Sequence, residues 1–131
     1  MAPYEQNVPL EFNAFRPIMS IIPRIEFADR PLVHFTAPVS WLNDPCAPAF
    51  HNGTYHLFYQ FCPNKPEWTL PLVWGHATSP DLVSWIDQPI ALGSDSEYDS
   101  TAVFSGGSFF DDEFRIYYTG VRSIPIRWYE P

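Results

Sequence analysis

Hydrophobic and polar positions alternate with a period of two over several short segments downstream of His34, which is the pattern of β-strands. The clearest segment runs from Thr54 to Phe61 and alternates Tyr55, Leu57 and Tyr59 with His56, Phe58 and Gln60. Because both sets contain aromatic residues, this strand is expected inside a sheet that packs on both faces. The Asn52-Gly53 pair before it is typical of a tight hairpin turn, since both residues tolerate positive φ.

The same reasoning predicts strands on either side of this hairpin. They are Ala47–His51, Leu72–Thr78, Trp85–Leu92, Thr101–Phe110 and Glu113–Thr119. The Trp85–Leu92 strand is partly polar and is expected at a sheet edge, and Asp111-Asp112 is expected to form the last turn. Ser79-Pro80-Asp81-Leu82 is predicted to form a single helical turn, because serine caps helices and proline favours their first position.

Four strands followed by two more repeat at a period of roughly fifty residues, which lies in the range of β-propeller blades. We therefore predict an all-β fold in which residues 34–131 form an incomplete β-propeller, its first blade and part of the second. Residues 1–33 carry recurrent prolines without a sustained period and are predicted to be an irregular N-terminal extension. Because such a partial ring leaves sheet edges open, the chain is expected to be incomplete as a functional unit.

The composition indicates a folded domain and excludes some partners. Aromatic residues make up 18% of the 131 residues, which is too much apolar surface for a disordered chain. The fifteen prolines disfavour long helices. A net charge of −8 would repel nucleic acid phosphates, so no nucleic acid partner is expected. No apolar run or basic amphipathic stretch indicates a membrane.

Cysteine and histidine placement predicts neither a disulfide framework nor a metal site. Cys46 and Cys62 permit one bridge at most, and two free, buried thiols are favoured. The four histidines lack metal-ligand spacing, so no metal and no other cofactor is predicted. The N-terminus has no secretory signal pattern, so either the protein stays inside the cell or its true start lies elsewhere. Its location and its oligomeric state stay unknown.

The stretch Trp41-Leu42-Asn43-Asp44-Pro45 sets a carboxylate directly before a proline. Proline fixes its own φ and keeps the preceding residue out of helical backbone, so Asp44 is held on a stiff, extended or turn-like support. A catalytic carboxylate needs such a fixed aim. Asn-Asp-Pro is also a common turn sequence, however, and the motif alone indicates a turn more often than a catalytic site.

Five ordered segments resemble the invertase and fructosidase family of glycoside hydrolases, family 32. They are Trp41–Pro45, Phe58–Pro63, Trp74–Ser79, Asp81–Trp85 and Phe104–Gly107. The resemblance covers about His34 to Trp128, and Asn-Asp-Pro-Cys-Ala-Pro most resembles fungal fructosyltransferase-like members. It implies a five-bladed β-propeller with the site in its central funnel. It also implies cleavage of fructosyl bonds in sucrose or fructans with retention of configuration, in a family whose members are often secreted.

The resemblance implies roles for seven residues. Asp44 is implied to be the catalytic nucleophile, and Asn43 and Gln60 are implied to hydrogen-bond the fructosyl unit. The remaining contacts to the sugar, from pocket-wall aromatics and one hydroxyl, are implied for Trp41, Trp68, Phe104 and Ser105. Outside the family context we would interpret Trp41 and Phe104 as ordinary core aromatics, Gln60 as a satisfied strand residue and Ser105-Gly106-Gly107 as a plain bend.

The family's acid/base glutamate, in a Glu-Cys motif, and its Arg-Asp-Pro motif lie downstream, and neither motif occurs in these residues. Because a retaining glycosidase needs a second carboxyl about 5–5.5 Å from the nucleophile, the chain alone is expected to be inactive. Two alternatives to the hydrolase stay open: a non-catalytic sugar-binding module and a truncated gene product without function. The sequence does not separate hydrolysis from fructosyl transfer.

Overall fold

Six β-strands and no helix occur in the part of the chain that the computed structural model describes, residues 24–25 and 30–122. The strands are β1 (Trp41–His51), β2 (Thr54–Cys62), β3 (Val73–Ser79), β4 (Ile86–Leu92), β5 (Ala102–Phe110) and β6 (Phe114–Val121). Strands β1 to β4 form one antiparallel sheet in chain order, and β5 and β6 form a separate antiparallel hairpin. The all-β class is confirmed, as is one four-stranded blade followed by two strands of the next.

The predicted extension, residues 1–33, lies mostly outside the described residues. Of this segment, residues 24–25 and 30–33 are described and belong to no strand. Arg24 ties it to the sheet through a two-pronged ion pair with Asp87 on β4, at 2.8 Å for both contacts. No helix long and apolar enough to cross a membrane occurs in the described part of the chain.

Strand β1 begins at Trp41 rather than at the predicted Ala47. The prediction missed its first half because Pro45 and Pro48 have no backbone N–H to donate to a sheet. Prolines are tolerated at sheet edges and at bulges. β1 is an edge strand of its sheet, and its register with β2 shifts between Leu42 and Pro45 and again between Cys46 and Ala49. Asn43 and Asp44 lie inside the first irregularity, outside the regular pairing.

Strand β2 lies inside the sheet between β1 and β3, and its second half is buried, as its two-sided aromatic pattern predicted. Phe58 and Trp74 are 0% exposed and pack on one face with Val103 and Phe114 of the hairpin. The other face is covered by a second cluster that includes Tyr59, Phe61, Val73, Ala77 and Ile90. β4 lies at the opposite edge from β1, which confirms its predicted edge position.

The helical turn predicted at Ser79-Pro80-Asp81-Leu82 is wrong, and the segment is a bend. Leu82 has a φ of 65°, which is outside the right-handed helical region. The Ser79 hydroxyl accepts the backbone N–H of Leu82 at 2.7 Å, and the Asp81 carboxylate accepts those of Val83 and Ser84. Serine and aspartate side chains that bond nearby amides in this way offer the backbone an alternative to helix.

The β5–β6 hairpin docks on the first sheet through backbone and side-chain bonds. The backbone N–H of Val103 donates to Leu72 at 3.0 Å, and the Trp74 indole donates to the carbonyl of Phe104 at 3.1 Å. At Gly106 an added Cβ would lie 1.9 Å from the carbonyl oxygen of Tyr117, so only glycine fits there. These contacts hold the start of β5 against β3. The Ser108 hydroxyl donates to the carbonyl of Pro48 at 3.2 Å, which places the rest of β5 beside β1.

Both cysteines are free and buried, which confirms the prediction. Cys46 lies opposite Phe58 and Cys62 lies opposite Trp41, so the two thiols occupy separate positions along the β1–β2 pair. The Cys62 thiol donates to the carbonyl of Thr69 at 3.1 Å.

Candidate active site

A cavity of about 660 Å³ lies at the junction of the two sheets. Six of the seven residues selected from the sequence line it, and one further residue joins them. The lining consists of Asn43, Asp44, Gln60, Trp68, Phe104, Ser105 and Thr119. These side chains come from β1, β2, β5, β6 and the loop between β2 and β3, so the fold unites residues that are far apart in the sequence.

Asp44 presents an exposed carboxylate to this cavity. The Ser105 hydroxyl donates a hydrogen bond to its Oδ2 at 2.8 Å. This bond, with a smaller contribution from the Asn43 amide, lowers the pKa of Asp44 below its ordinary value. The carboxylate is therefore ionised at neutral pH, which is the form required for nucleophilic attack.

A continuous row of hydrogen bonds, here called the polar network, joins Trp41, Asn43, Gln60, Ser105 and Asp44. The Trp41 indole donates to Oδ1 of Asn43 at 2.9 Å, and Nδ2 of Asn43 donates a close hydrogen bond to Oε1 of Gln60. Nε2 of Gln60 then donates to the Ser105 hydroxyl at 3.0 Å, and that hydroxyl donates to Asp44. The network crosses from the first sheet to the hairpin and back.

Trp41, which was expected in the pocket wall, is not among the side chains that line the cavity in the described residues. Its ring packs against a cluster of Cys62, Leu72 and Ala102. The expectation of direct sugar contact therefore gains no support from the geometry at this residue. Its polar edge is instead engaged by Asn43.

Two aromatic side chains, Trp68 and Phe104, form the apolar part of the lining. Flat aromatic faces pack well against the C–H edges of a sugar. Phe104 and its neighbour Ser105 both line the cavity although consecutive strand residues normally point to opposite faces. The register shift of β5 between Phe104 and Gly106 explains this, because a bulge lets adjacent side chains share one side.

Thr119 also lines the cavity, and sequence reasoning did not select it. It pairs with Phe104 across the β5–β6 hairpin, so the two side chains share a face. The signal was available in the hairpin register: counting back from the turn at Asp111 sets Thr119 opposite the segment that contains Phe104 and Ser105.

The thiol of Cys46, two residues after the nucleophile, is neutral. The Cys46 thiol donates to the backbone carbonyl of Asp44 at 3.2 Å, and burial raises the pKa of that thiol. Asp44 is the single carboxylate in the lining formed by the described residues. In that part of the chain no group of three or more His, Cys, Asp or Glu side chains could hold a metal ion.

Comparison with known proteins gives a family match over most of the chain. The sequence profile of the Glycosyl hydrolases family 32 N-terminal domain matches residues 34–128. A fructan 6-exohydrolase of Beta vulgaris is 43% identical over 96 residues, which is 72% of this chain and 16% of that protein. The vacuolar acid beta-fructofuranosidase 4 of Arabidopsis thaliana is 44% identical over 93 residues, which is 70% of this chain and 14% of that protein.

A solved structure of a fructofuranosidase also matches the fold of this chain. The fructofuranosidase from Schwanniomyces occidentalis, complexed with fructose, matches at 41% identity with a TM-score of 0.56. The match covers 61% of this chain and 16% of that one. The chain thus spans about one sixth of the length of these proteins.

Proposed function

Because this chain belongs to glycosyl hydrolase family 32, we propose that the protein cleaves β-fructofuranosyl bonds of sucrose or fructans, with Asp44 as the nucleophile. One observation carries the proposal: an ionised, exposed carboxylate is fixed by Ser105 in a cavity lined by amides and aromatic rings. That combination of groups suits a sugar ring next to a reacting anomeric carbon. The names of the two relatives, a fructan exohydrolase and a beta-fructofuranosidase, support the substrate class.

The reaction proceeds in two displacements. Oδ2 of Asp44 is held by Ser105, so Oδ1 is the oxygen that attacks the anomeric carbon of the fructosyl unit. The new carboxylate–carbon bond forms while the glycosidic bond breaks, and the leaving oxygen takes a proton from a general acid. Water, deprotonated by the same group, then attacks the anomeric carbon, breaks its bond to the carboxylate oxygen and releases Asp44 as a carboxylate. Two inversions give net retention of configuration.

Substrate binding uses the amides of Asn43 and Gln60 together with the two aromatic rings. Each amide nitrogen carries two protons, and one proton of each is engaged within the polar network. The second amide proton of Gln60 is the natural donor for a fructose hydroxyl, whereas the Asn43 amide also bonds the Asp44 carboxylate and contacts the sugar beside it. Trp68 and Phe104 supply the apolar faces against which the sugar packs.

The described residues supply no carboxylic acid as proton donor, because no second carboxylate among them lines the cavity. We place the proton donor in a part of the protein outside them, consistent with a chain that spans about one sixth of its relatives. General acid catalysis typically contributes about 10²–10⁴-fold, so the complete protein is required for full activity.

The experiment is the substitution Asp44→Asn in the full-length protein that carries this sequence. Turnover of sucrose and of short fructans should fall by about 10⁴-fold or more, as expected for loss of a nucleophile. Calorimetry should still detect sugar binding by this variant, because the amides and rings remain. Asp112→Asn, in the exposed turn between β5 and β6, is the matched control and should keep the wild-type rate. An Asp44→Asn variant with unchanged turnover, or products of inverted configuration by NMR, would overturn the proposal.

A further inference from the structure

We propose that Trp41 is a positioning residue whose indole N–H sets the direction of the polar network that ends on Asp44. The inference rests on the proposed role of Asp44 as nucleophile. It assigns Trp41 a task other than contact with the sugar, and the task depends on one N–H group rather than on the ring.

The two ends of the polar network have fixed hydrogen-bonding character. The indole N–H of Trp41 can only donate, and the ionised carboxylate of Asp44 can only accept. Between them stand Asn43, Gln60 and Ser105, each of which can both donate and accept. A side-chain amide can rotate to exchange the positions of its oxygen and nitrogen, and a hydroxyl can rotate its proton. These three groups therefore do not by themselves fix which neighbour donates and which accepts.

The donor at one end orders the rest. Because Oδ1 of Asn43 accepts from the indole at 2.9 Å, the Asn43 nitrogen faces Gln60 and must meet its oxygen. The Gln60 nitrogen is then left to donate toward the hairpin.

The order reaches the nucleophile through Ser105. The Ser105 oxygen already accepts from Gln60 at 3.0 Å, so its single proton is directed to Oδ2 of Asp44 at 2.8 Å. Every donor in the network therefore points toward the nucleophile.

Removal of the indole N–H permits the opposite order. The Asn43 amide can then rotate so that its oxygen accepts a hydrogen bond from the nitrogen of Gln60. The Gln60 oxygen would then face Ser105 and accept from its hydroxyl. Ser105 has one proton, and donation to Gln60 excludes donation to Asp44. The carboxylate would lose the bond that favours its charged form and fixes its orientation.

Burial keeps water from the centre of the network, although Ser105 and Asp44 at its end are exposed. Gln60, at the centre of the network, is 4% exposed. Trp41 is held by its packing on Cys62, Leu72 and Ala102. In the described residues, the other titratable group close to Asp44 is the Cys46 thiol on the same strand, and burial raises its pKa so that it stays neutral. In the proposed mechanism the acid limb reports on Asp44, because the nucleophile must be deprotonated, whereas the general acid must be protonated and sets the alkaline limb.

The test is Trp41→Phe in the full-length protein, which keeps a ring and removes the N–H. The acid limb of the kcat/KM profile should move upward by about one pH unit, because the carboxylate loses a hydrogen bond to its charged form. Trp85→Phe is the matched control: it removes another part-buried indole N–H, in the separate cluster around Tyr59, and should leave the acid limb in place. If Trp41→Phe does not fold, the benzothienyl analogue of tryptophan at position 41 makes the same change in a ring of equal size.

A double substitution distinguishes this role from a general packing effect. In a Ser105→Ala background, removal of the Trp41 N–H should move the acid limb by clearly less than it does alone, because the path through Ser105 is already cut and only the smaller contribution of the Asn43 amide to the pKa of Asp44 remains. If the two substitutions move the acid limb additively, or if Trp41→Phe alone leaves the acid limb in place, the inference is wrong. A wild-type protein without fructofuranosidase activity, or an active Asp44→Asn variant, would instead overturn the proposed function, so the two failures are distinguishable.

Discussion

The four-stranded sheet and the β5–β6 hairpin contribute to the site in different ways. The sheet buries side chains on both faces of β2, and Phe58 and Trp74 are fully buried. The hairpin exposes much of its surface, with Phe109 56% and Tyr117 60% exposed. One face of the sheet, around Tyr59, Phe61 and Val73, is packed without the hairpin, and the other face forms a core shared with it. The sheet holds the carboxylate, whereas the hairpin supplies the hydroxyl and part of the wall.

The site lies where these two regions meet. Trp74 fixes the backbone of Phe104, and Ser105 reaches back to Asp44. Substitutions in the sheet core should thus disturb both stability and chemistry, and substitutions at the junction should disturb chemistry alone. The outer face of the hairpin should tolerate change. The following predictions, made for the full-length protein, test that division from the largest expected effect to the smallest.

Phe58→Ala should destabilise the protein by about 3–5 kcal/mol, because it leaves a cavity in a fully buried cluster that joins the two sheets. Phe109→Ala, at a side chain that is 56% exposed in this chain, should cost clearly less than Phe58→Ala. Chemical denaturation of both variants measures the contrast. Equal losses of unfolding free energy in the two variants would contradict the contrast between the buried contact of the sheet with the hairpin and the exposed face of the hairpin.

Acid should weaken the sheet core through His76. Burial lowers the pKa of His76 from 6.5 to about 3, with His56 adding to the shift. The unfolded chain binds a proton near pH 6.5 and the folded chain does not, so stability is complete above pH 6.5 and falls as the pH drops toward 3. The loss amounts to at most about 1.4 kcal/mol per pH unit.

His76→Phe removes this proton uptake and retains a ring to stack on Phe58, which lies 4.5 Å away between centroids. The slope of unfolding free energy against pH should become shallower between pH 6.5 and the acid range. Part of the slope should persist, since burial lowers the pKa of His56 as well. Identical slopes for the variant and the wild type would exclude His76 as the source.

Ser105→Ala tests the junction itself. Hydrogen bonds to charged groups are typically worth about 1.5–3 kcal/mol, so kcat/KM should fall by about 10- to 100-fold. The pKa of Asp44 should rise toward its ordinary value, and activity should be lost at a higher pH as the medium is acidified. Thermal unfolding should be nearly unchanged, because Ser105 is exposed. A variant with the wild-type acid limb would show that Ser105 does not act on the nucleophile.

Thr119→Val tests the wall of the hairpin and should have the smallest effect. Valine keeps the shape of threonine and removes the hydroxyl of a residue that lines the cavity beside Phe104. If that hydroxyl contacts the sugar, KM should rise by about 3- to 10-fold, the size expected for one neutral hydrogen bond, with little change in kcat. An unchanged KM would show that the Thr119 hydroxyl makes no contact with the sugar and that the residue serves only the β6 strand.

The sequence predicted more of the strands than of their irregularities. Alternation located β2 to β6 to within one or two residues at each end. It missed the first half of β1, where prolines and a register shift replace the regular pairing around Asp44. It also predicted helix at Leu82, where local side-chain bonds decide the backbone.

The same limit applies to the site. Motif resemblance selected six residues that line one cavity, because those residue types are tied to a shared chemistry. The resemblance gave no direct sign of the role of Thr119, which follows from hairpin register, or of the Trp41 bond to Asn43, which follows from side-chain packing. The first needed a count along the predicted hairpin, and the second depends on the packing of the Trp41 ring, which no local pattern records.

The most direct test of the central claim is to trap the fructosyl group on Asp44. Full-length protein is mixed with sucrose, quenched in acid during turnover and digested, and the peptides are weighed by mass spectrometry. The peptide that contains Asp44 should gain the mass of one fructosyl unit, and the gain should be absent from Asp44→Asn. A fructosyl group on a different residue of an active enzyme would contradict the account.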